Sequence, residues 1–114
     1  MDSVEDDQFA LEDSVVVNAG VTHPQLDYEL TGWQGRVTEI ALDDTYGTLY
    51  YVEWDSITLK QMPRPFLEEA DEKGIDWTRT YLPAGALRLT LPRDSAADAT
   101  RVAEELSDAY ESRT

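Results

Sequence analysis

The sequence predicts a mainly β fold in which five short strands form one small curled sheet. Three observations predict it. Short runs rich in β-branched and aromatic residues recur along the chain and are separated by turn-forming residues. A long polar loop, 21–32, follows the first of these runs. Helix-type patterns occur only after residue 62, so helices are expected to pack against a sheet that precedes them.

The first two predicted strands lie on either side of that loop. Residues 13–20, DSVVVNAG, are a β-branched run closed by Asn and Gly, and residues 33–42, WQGRVTEIAL, form the second strand. The alternation of the second strand slips by one residue near Glu39, which predicts a β-bulge. Gly35 is expected where this strand coils closely beneath a neighbouring backbone.

Three further strands are predicted in the middle of the chain. Residues 49–55, LYYVEWD, form the third strand and residues 56–62, SITLKQM, the fourth. The short connection between them predicts a hairpin. Residues 75–82 read as a linker, followed by a turn around 83–85 and a fifth strand at 87–91.

Two helices are predicted in the second half of the chain. The first, at about 64–73, opens at prolines and closes at Gly74. The second, at about 95–111, begins with the capping-box spacing of Ser95 and Asp98. It carries an apolar stripe at helical spacing. The resulting division is an acidic arm at 1–12, a β domain at 13–92 and a C-terminal amphipathic helix at 93–114.

The charge of the chain is strongly acidic. Its 114 residues contain 24 Asp and Glu against 9 Lys and Arg, which gives a net charge of -15. Such a chain should repel nucleic acid at low salt, since affinity for phosphates comes mainly from Lys and Arg. Three interpretations stay open: adaptation to a salty, halophilic cytoplasm, binding of cations or a basic partner, and an ordinary acidic surface.

Several function classes are excluded or disfavoured by composition. The chain has no cysteine, which excludes disulfides and zinc–cysteine sites. It has no phosphate loop and no dinucleotide-binding glycine motif. It also has no apolar run near the ~20 residues that a membrane span needs, and no recognisable secretion signal. We therefore expect a cytoplasmic protein without a cofactor, whose oligomeric state the residues leave open.

The blocks DSVVVNAG, GWQGRVTEI and YYVEWD resemble the opening three strands of an SH3-like barrel of the KOW and Tudor kind. The segment YLPAGALRL is similar to the short helical turn and closing strand of Src-homology-3 barrels. The resemblance covers about 13–91, and the helix at 63–74 departs from it. The blocks GWQGRV and WDSIT also resemble an uncharacterised family of small acidic prokaryotic barrel proteins. These likenesses imply a five-stranded SH3-like barrel with an inserted helix.

The aromatic residues are the first candidate site. In barrels of the kind that the chain resembles, loop aromatics form a shallow cleft that holds a peptide. That resemblance predicts a non-enzymatic interaction module whose partner-binding residues are Tyr28, Trp33, Tyr51 and Tyr81. The surrounding acids would steer a protein or peptide segment that is basic. The competing interpretation is structural, with Trp33, Trp54 and Trp77 covering the ends of the core.

Two alternative functions are also predicted. Oxygen ligands for calcium or another divalent cation could come from Asp43, Asp44, Glu53 and Asp55, although these acids lack EF-hand spacing and equally suit a solvated turn. The likeness to KOW domains implies contact with RNA or the transcription and translation machinery, for which Arg36, Lys60 and Arg88 would form a positive island. No motif supplies His23, the one histidine, with a catalytic partner, and we predict that the protein is not an enzyme.

Overall fold

The computed structural model describes residues 9–45 and 47–111. Five strands form one antiparallel sheet in the order β4-β3-β2-β1-β5, and the two edge strands do not pair with each other within the described residues. Three helices accompany the sheet, so the fold is mixed α/β rather than mainly β. The strands are β1 Ser14–Val17, β2 Gln34–Asp43, β3 Gly47–Trp54, β4 Arg79–Pro83 and β5 Leu87–Leu89; the helices are α1 Ser56–Lys60, α2 Arg64–Lys73 and α3 Ala96–Glu111.

The main hydrophobic core lies against the inner face of the sheet. The alternation of β3 directs Tyr50, Val52 and Trp54 into it, and each is at most 1% exposed. Phe9 joins this core from before β1, and Val102 joins it from α3. The core therefore includes residues from all three predicted segments. Leu11 is exposed, and residues 1–8 of the predicted acidic arm lie outside the described residues.

The predicted close approach at Gly35 and the predicted β-bulge near Glu39 are both present in β2. A Cβ atom built on Gly35 would lie 2.2 Å from the carbonyl oxygen of Glu53 on β3, which leaves no space for any other residue. The register of β2 against β3 shifts between Val37 and Glu39, as a bulge requires. Close approach and bulge together bend β2 across the core.

The predicted fourth strand at 56–62, and its hairpin, are wrong, because this segment is helical. Asp55 ends β3 and caps α1, accepting a hydrogen bond from the backbone N–H of Thr58 at 2.8 Å. Ile57 and Thr58 favour a strand by propensity, but the cap and the burial of Leu59 favour a helical turn. The short α1 thus closes one end of the core.

The strand that completes the sheet is β4, in the segment predicted to be a linker. Tyr51 of β3 pairs with Tyr81 of β4, while Thr80 and Leu82 are buried on the inner face. The sequence signal is weak because β4 has five residues and ends in a proline. β5 is also shorter than predicted and ends at Leu89.

The two predicted helices are confirmed. Gly74 ends α2 in the left-handed conformation, with φ +69°. Before α3, the Asp98 backbone N–H donates to Ser95 Oγ at 3.1 Å, and the Ser95 N–H donates to Asp98 Oδ2 at 3.3 Å. The loop between β1 and β2 folds onto α2, where its Leu26 packs with Phe66 and Ala70.

Candidate functional site

The four predicted partner-binding aromatics form two separate pairs. The rings of Tyr28 and Trp33, at the end of the β1–β2 loop, have centroids 6.2 Å apart. The rings of Tyr51 and Tyr81, on the outer face of β3 and β4, have centroids 5.7 Å apart. All four side chains are partly buried. The structure therefore contains two aromatic surfaces instead of one continuous rim.

Trp33 has both a structural side and an accessible side. Its ring lies edge-on to Trp54 at 5.2 Å and to Phe66 at 5.0 Å, so it covers the junction of the main core and the smaller cluster that contains Phe66. Trp54, by contrast, is enclosed. These contacts make Trp33 part of the core. Because its side chain is also partly exposed, it presents a surface to solvent as well.

A groove of about 280 Å³ opens beside Trp33. One wall is the end of the β1–β2 loop, and the opposite wall is α1 with the start of α2. We call it the Trp33 groove. It is lined by Tyr28, Thr31, Gly32, Trp33, Thr58, Gln61, Pro63 and Arg93.

Arg93 brings a fixed guanidinium to the Trp33 groove. Its Nε and Nη2 atoms each donate to a carboxylate oxygen of Asp55 at 2.9 Å, and Nη2 also donates to Thr58 Oγ1 at 3.0 Å. Within the described residues Nη1 donates to no protein atom, and the side chain is 36% exposed. Arg93 can therefore offer Nη1 to a ligand carbonyl without giving up its bidentate pair.

A buried ion pair between Arg36 and Asp94 fixes the segment that carries Arg93. Arg36 on β2 donates from Nη2 to Asp94 Oδ1 at 2.7 Å and also to the Asp94 carbonyl. Burial alone would raise the pKa of Asp94, but hydrogen bonds with Ser56 and Arg36, and the charge of Arg36, together lower it below its usual value. Both pairs join residues 38 or more positions apart, and no local motif marks them in the sequence.

His23 holds the loop that forms one wall of the groove. Its side chain is 4% exposed, and Nδ1 accepts hydrogen bonds from the backbone N–H groups of Gln25 at 3.0 Å and Leu26 at 3.2 Å. Burial lowers the pKa of His23, and the nearby charge of Glu69 offsets this in part. A neutral ring that accepts two N–H groups has a structural role in the loop.

The second aromatic pair borders a notch of about 140 Å³. The guanidinium carbon of Arg79 lies 5.6 Å from the centroid of the Tyr51 ring, and Arg79 also pairs with Asp76 at 3.7 Å. Gln25 of the β1–β2 loop lines this notch as well. The loop therefore contributes residues to both aromatic surfaces.

The four predicted cation ligands are not brought together. Asp43 and Asp44 lie at the β2–β3 turn, where Asp43 Oδ1 accepts from the Thr45 N–H at 2.7 Å. Glu53 and Asp55 lie at the other end of β3, roughly 20 Å or more away for a strand of this length. Within residues 9–45 and 47–111, no group of three or more acidic or histidine side chains could hold a metal ion.

Hydrogen bonds and ion pairs within the protein leave fewer free basic side chains in the predicted positive island. Arg36 is 9% exposed and bound to Asp94, so it is not available to an RNA phosphate. Arg88 is exposed, and its Nη1 donates to Asn18 Oδ1 at 2.8 Å. Lys60 is exposed near the end of α1.

Comparisons with known proteins add no family to this geometry. No protein-family model matches the chain, and no curated protein or solved structure is significantly similar to it. Among the described residues, the helices lack the length and apolar content required to cross a bilayer.

Proposed function

We propose that this protein is a non-enzymatic interaction module that recognises a protein or peptide segment through the Trp33 groove. The observation that carries the proposal is the composition of that groove. It combines two aromatic rings, a proline and a guanidinium whose Nη1 is unpaired within the described residues. Concave sites with rigid aromatic anchors and few fixed polar groups are typical of binding sites.

The finer fold assignment within this proposal is an SH3-like barrel. Its support is the strand order, with β5 beside β1 and β4 at the far edge, and the short 3₁₀ turn Ala84–Ala86 between β4 and β5. The coil of β2 at Gly35 also fits a tightly curved sheet. A barrel of this type would leave the β1–β2 loop as one wall of a binding cleft, where Tyr28 and Trp33 lie.

Electrostatics favour a partner segment that is basic. Asp27 and Glu29 flank Tyr28 on the loop, and both are exposed. The net charge of -15 adds a long-range attraction for cations. Within the groove, a neutral peptide carbonyl suits Arg93, because Asp55 already balances its charge. We therefore propose a segment whose basic side chains meet the rim while its backbone meets Arg93.

The Tyr51–Tyr81 notch is proposed as a second contact of the same partner. Gln25 lines it, and Tyr28 lines the Trp33 groove, so one loop borders both surfaces. The two alternatives have less support. The proposed cation ligands lie at opposite ends of β3, and Arg36 is taken up by Asp94.

Site-specific photo-crosslinking tests the proposal. A photoreactive amino acid at Gln61, an exposed residue of the groove, should crosslink a discrete partner in source-cell extract at molar salt. Adding Tyr28→Ala should abolish that product. The same photoreactive group at Thr38, exposed on β2, is the matched control and should yield none. Equal products at both positions, or a Gln61 product that survives Tyr28→Ala, would contradict the proposal.

A further inference from the structure

A second groove lies at the β5 edge of the sheet, where β5 leads into α3. Its volume is about 810 Å³, and we call it the β5 groove. Leu89, Leu91, Pro92 and Ala96 supply its apolar surface, and Glu12 and Asp13 lie on its rim. None of these residues lines the Trp33 groove.

The backbone of β5 has an open side along this groove. The even-numbered residues on either side of β5 bond to the β1 segment: the Asn18 N–H donates to the Ala86 carbonyl at 2.8 Å, and the Thr90 N–H donates to the Ser14 carbonyl at 3.0 Å. Antiparallel geometry then directs the N–H and C=O of Leu89 away from β1. Within the described residues neither group has a hydrogen-bond partner. Leu89 can therefore pair with one further strand.

Apolar side chains continue along this edge past the point where the buried core ends. Leu87 and Leu89 lie on the same face of the sheet, and Leu91, two residues beyond the end of β5, continues their spacing. Leu87 is 4% exposed, whereas Leu89 is 59% and Leu91 82% exposed. The apolar face thus continues into the groove without cover from the described residues.

The charges of the groove favour a basic occupant. Arg36 and Asp94 line it but neutralise each other in their ion pair. Glu12 and Asp13 then leave the groove negative beside Leu91, while exposed Arg88 lies on the opposite face of β5. A second copy of the chain would bring another net charge of -15 to this edge, which disfavours self-association unless salt screens it.

We propose that the β5 groove docks an extended segment of a partner protein that is apolar where it faces Leu89 and Leu91 and basic at its end beside Glu12 and Asp13. The segment adds as a strand to β5 and bonds to the free N–H and C=O of Leu89. Its apolar side chains cover Leu89 and Leu91. Its basic side chains meet Glu12 and Asp13. This second site is independent of the Trp33 groove.

Fluorescence anisotropy with a short labelled valine-rich peptide that ends in lysines tests this inference. Leu91→Ala should raise the Kd about fivefold, the equivalent of roughly 1 kcal/mol of lost apolar contact. Leu42→Ala is the matched control, because Leu42 is 85% exposed on the β2–β3 hairpin, away from β5. It should leave the Kd unchanged. If both substitutions weaken binding equally, or if neither weakens it, the attraction is non-specific and the proposal is overturned.

Two further measurements separate strand addition from other modes of binding. Two peptides are compared, one N-methylated at its odd-numbered residues and the other at its even-numbered residues. Their Kd values should differ at least about fivefold, because the backbone N–H groups of only one set donate to β5. Equal affinities would overturn strand addition. Sedimentation of the free protein should give a monomer. A dimer that Leu91→Ala dissociates would assign the groove to a second copy of the chain and overturn the proposal.

Discussion

Gly35 lies where β2 has no room for a side chain against β3. Any Cβ there would meet the Glu53 carbonyl oxygen at 2.2 Å and the Val52 side chain at 2.8 Å. The oxygen belongs to the backbone of the paired strand, so the clash cannot be relieved by rotating a side chain. β2 and β3 would have to separate where both cover the core.

We expect Gly35→Ala to lower the free energy of unfolding by about 3 kcal/mol or more, as severe overpacking does. Urea denaturation of the variant measures it. Gly85→Ala is the control, because a Cβ on Gly85 would meet no atom within 4 Å; it should change stability by less than about 1 kcal/mol. Similar values for the two variants would show that the approach of β2 to β3 does not require glycine.

His23 makes stability depend on pH in a predictable direction. Burial lowers its pKa in the folded state below the ordinary value of 6.5. The unfolded chain therefore binds the proton first as the pH falls, and the contribution of neutral His23 is lost between 6.5 and the lower folded pKa. This loss of stability occurs at a higher pH than the titration of most carboxylates.

We expect the urea midpoint of the parent protein to decline between pH 7 and pH 5.5 more steeply than that of His23→Asn. The asparagine amide oxygen can accept a backbone N–H but does not titrate. Comparing the two proteins at each pH removes the background from other groups. Parallel pH profiles would contradict a His23 that is buried and neutral.

At the scale of elements, α1 shows how a distant contact determines local structure. The residues of α1 have strand propensity, and the sequence predicted a strand. Asp55 caps the helix and is 2% exposed, and Arg93, 38 residues away, balances its charge. In the sequence, Asp55 and Ser56 are two turn-forming residues, and such a pair is equally compatible with a hairpin.

We expect Asp55→Ala to cost about 2 kcal/mol, since it removes a helix cap and leaves the buried Thr58 N–H without its acceptor, while Arg93 is partly exposed. Asp76→Ala is the matched control. Asp76 also accepts a backbone N–H two residues onward and pairs with an arginine, but its side chain is 58% exposed. The control should cost less than about 1 kcal/mol by thermal or urea unfolding. Equal costs would mean that the Asp55–Arg93 pair does not hold α1.

Other elements were predictable where their signals were local. The Ser95–Asp98 capping box, the Gly74 cap and the bulge near Glu39 each depend on neighbouring residues, and each is present. β4 was missed because its five residues contain little alternation and end in a proline. The Trp33 groove was foreseen in Tyr28 and Trp33 but not in Arg93, since only the tertiary fold brings Arg93 to α1.

At the scale of the whole molecule, self-repulsion is the dominant electrostatic feature. The net charge of -15 on 114 residues opposes compaction. The described ion pairs include exposed ones, such as Arg64–Glu68 and Lys73–Glu69 on α2, which contribute little each. Most carboxylates on such a surface therefore depend on mobile ions for screening.

We expect the melting temperature to rise substantially between 0.1 M and 2 M KCl, because the Debye length falls from ~10 Å at 0.1 M to ~3 Å at 1 M. Sodium chloride should act alike, since screening does not distinguish the two cations. A scan of melting temperature against salt measures the effect. A flat profile with a jump at millimolar calcium would contradict screening and favour the cation-binding alternative.

We propose that the open side of Trp33 binds the partner while its other side closes the core. Fluorine NMR of protein labelled with 5-fluorotryptophan tests it within one sample, because Trp54 is the enclosed internal control. Resonances are assigned by replacing each tryptophan with phenylalanine. On addition of the partner crosslinked at Gln61, the Trp33 resonance should shift while that of Trp54 stays in place. An unchanged Trp33 resonance with saturating partner, or equal shifts of both, would contradict the claim.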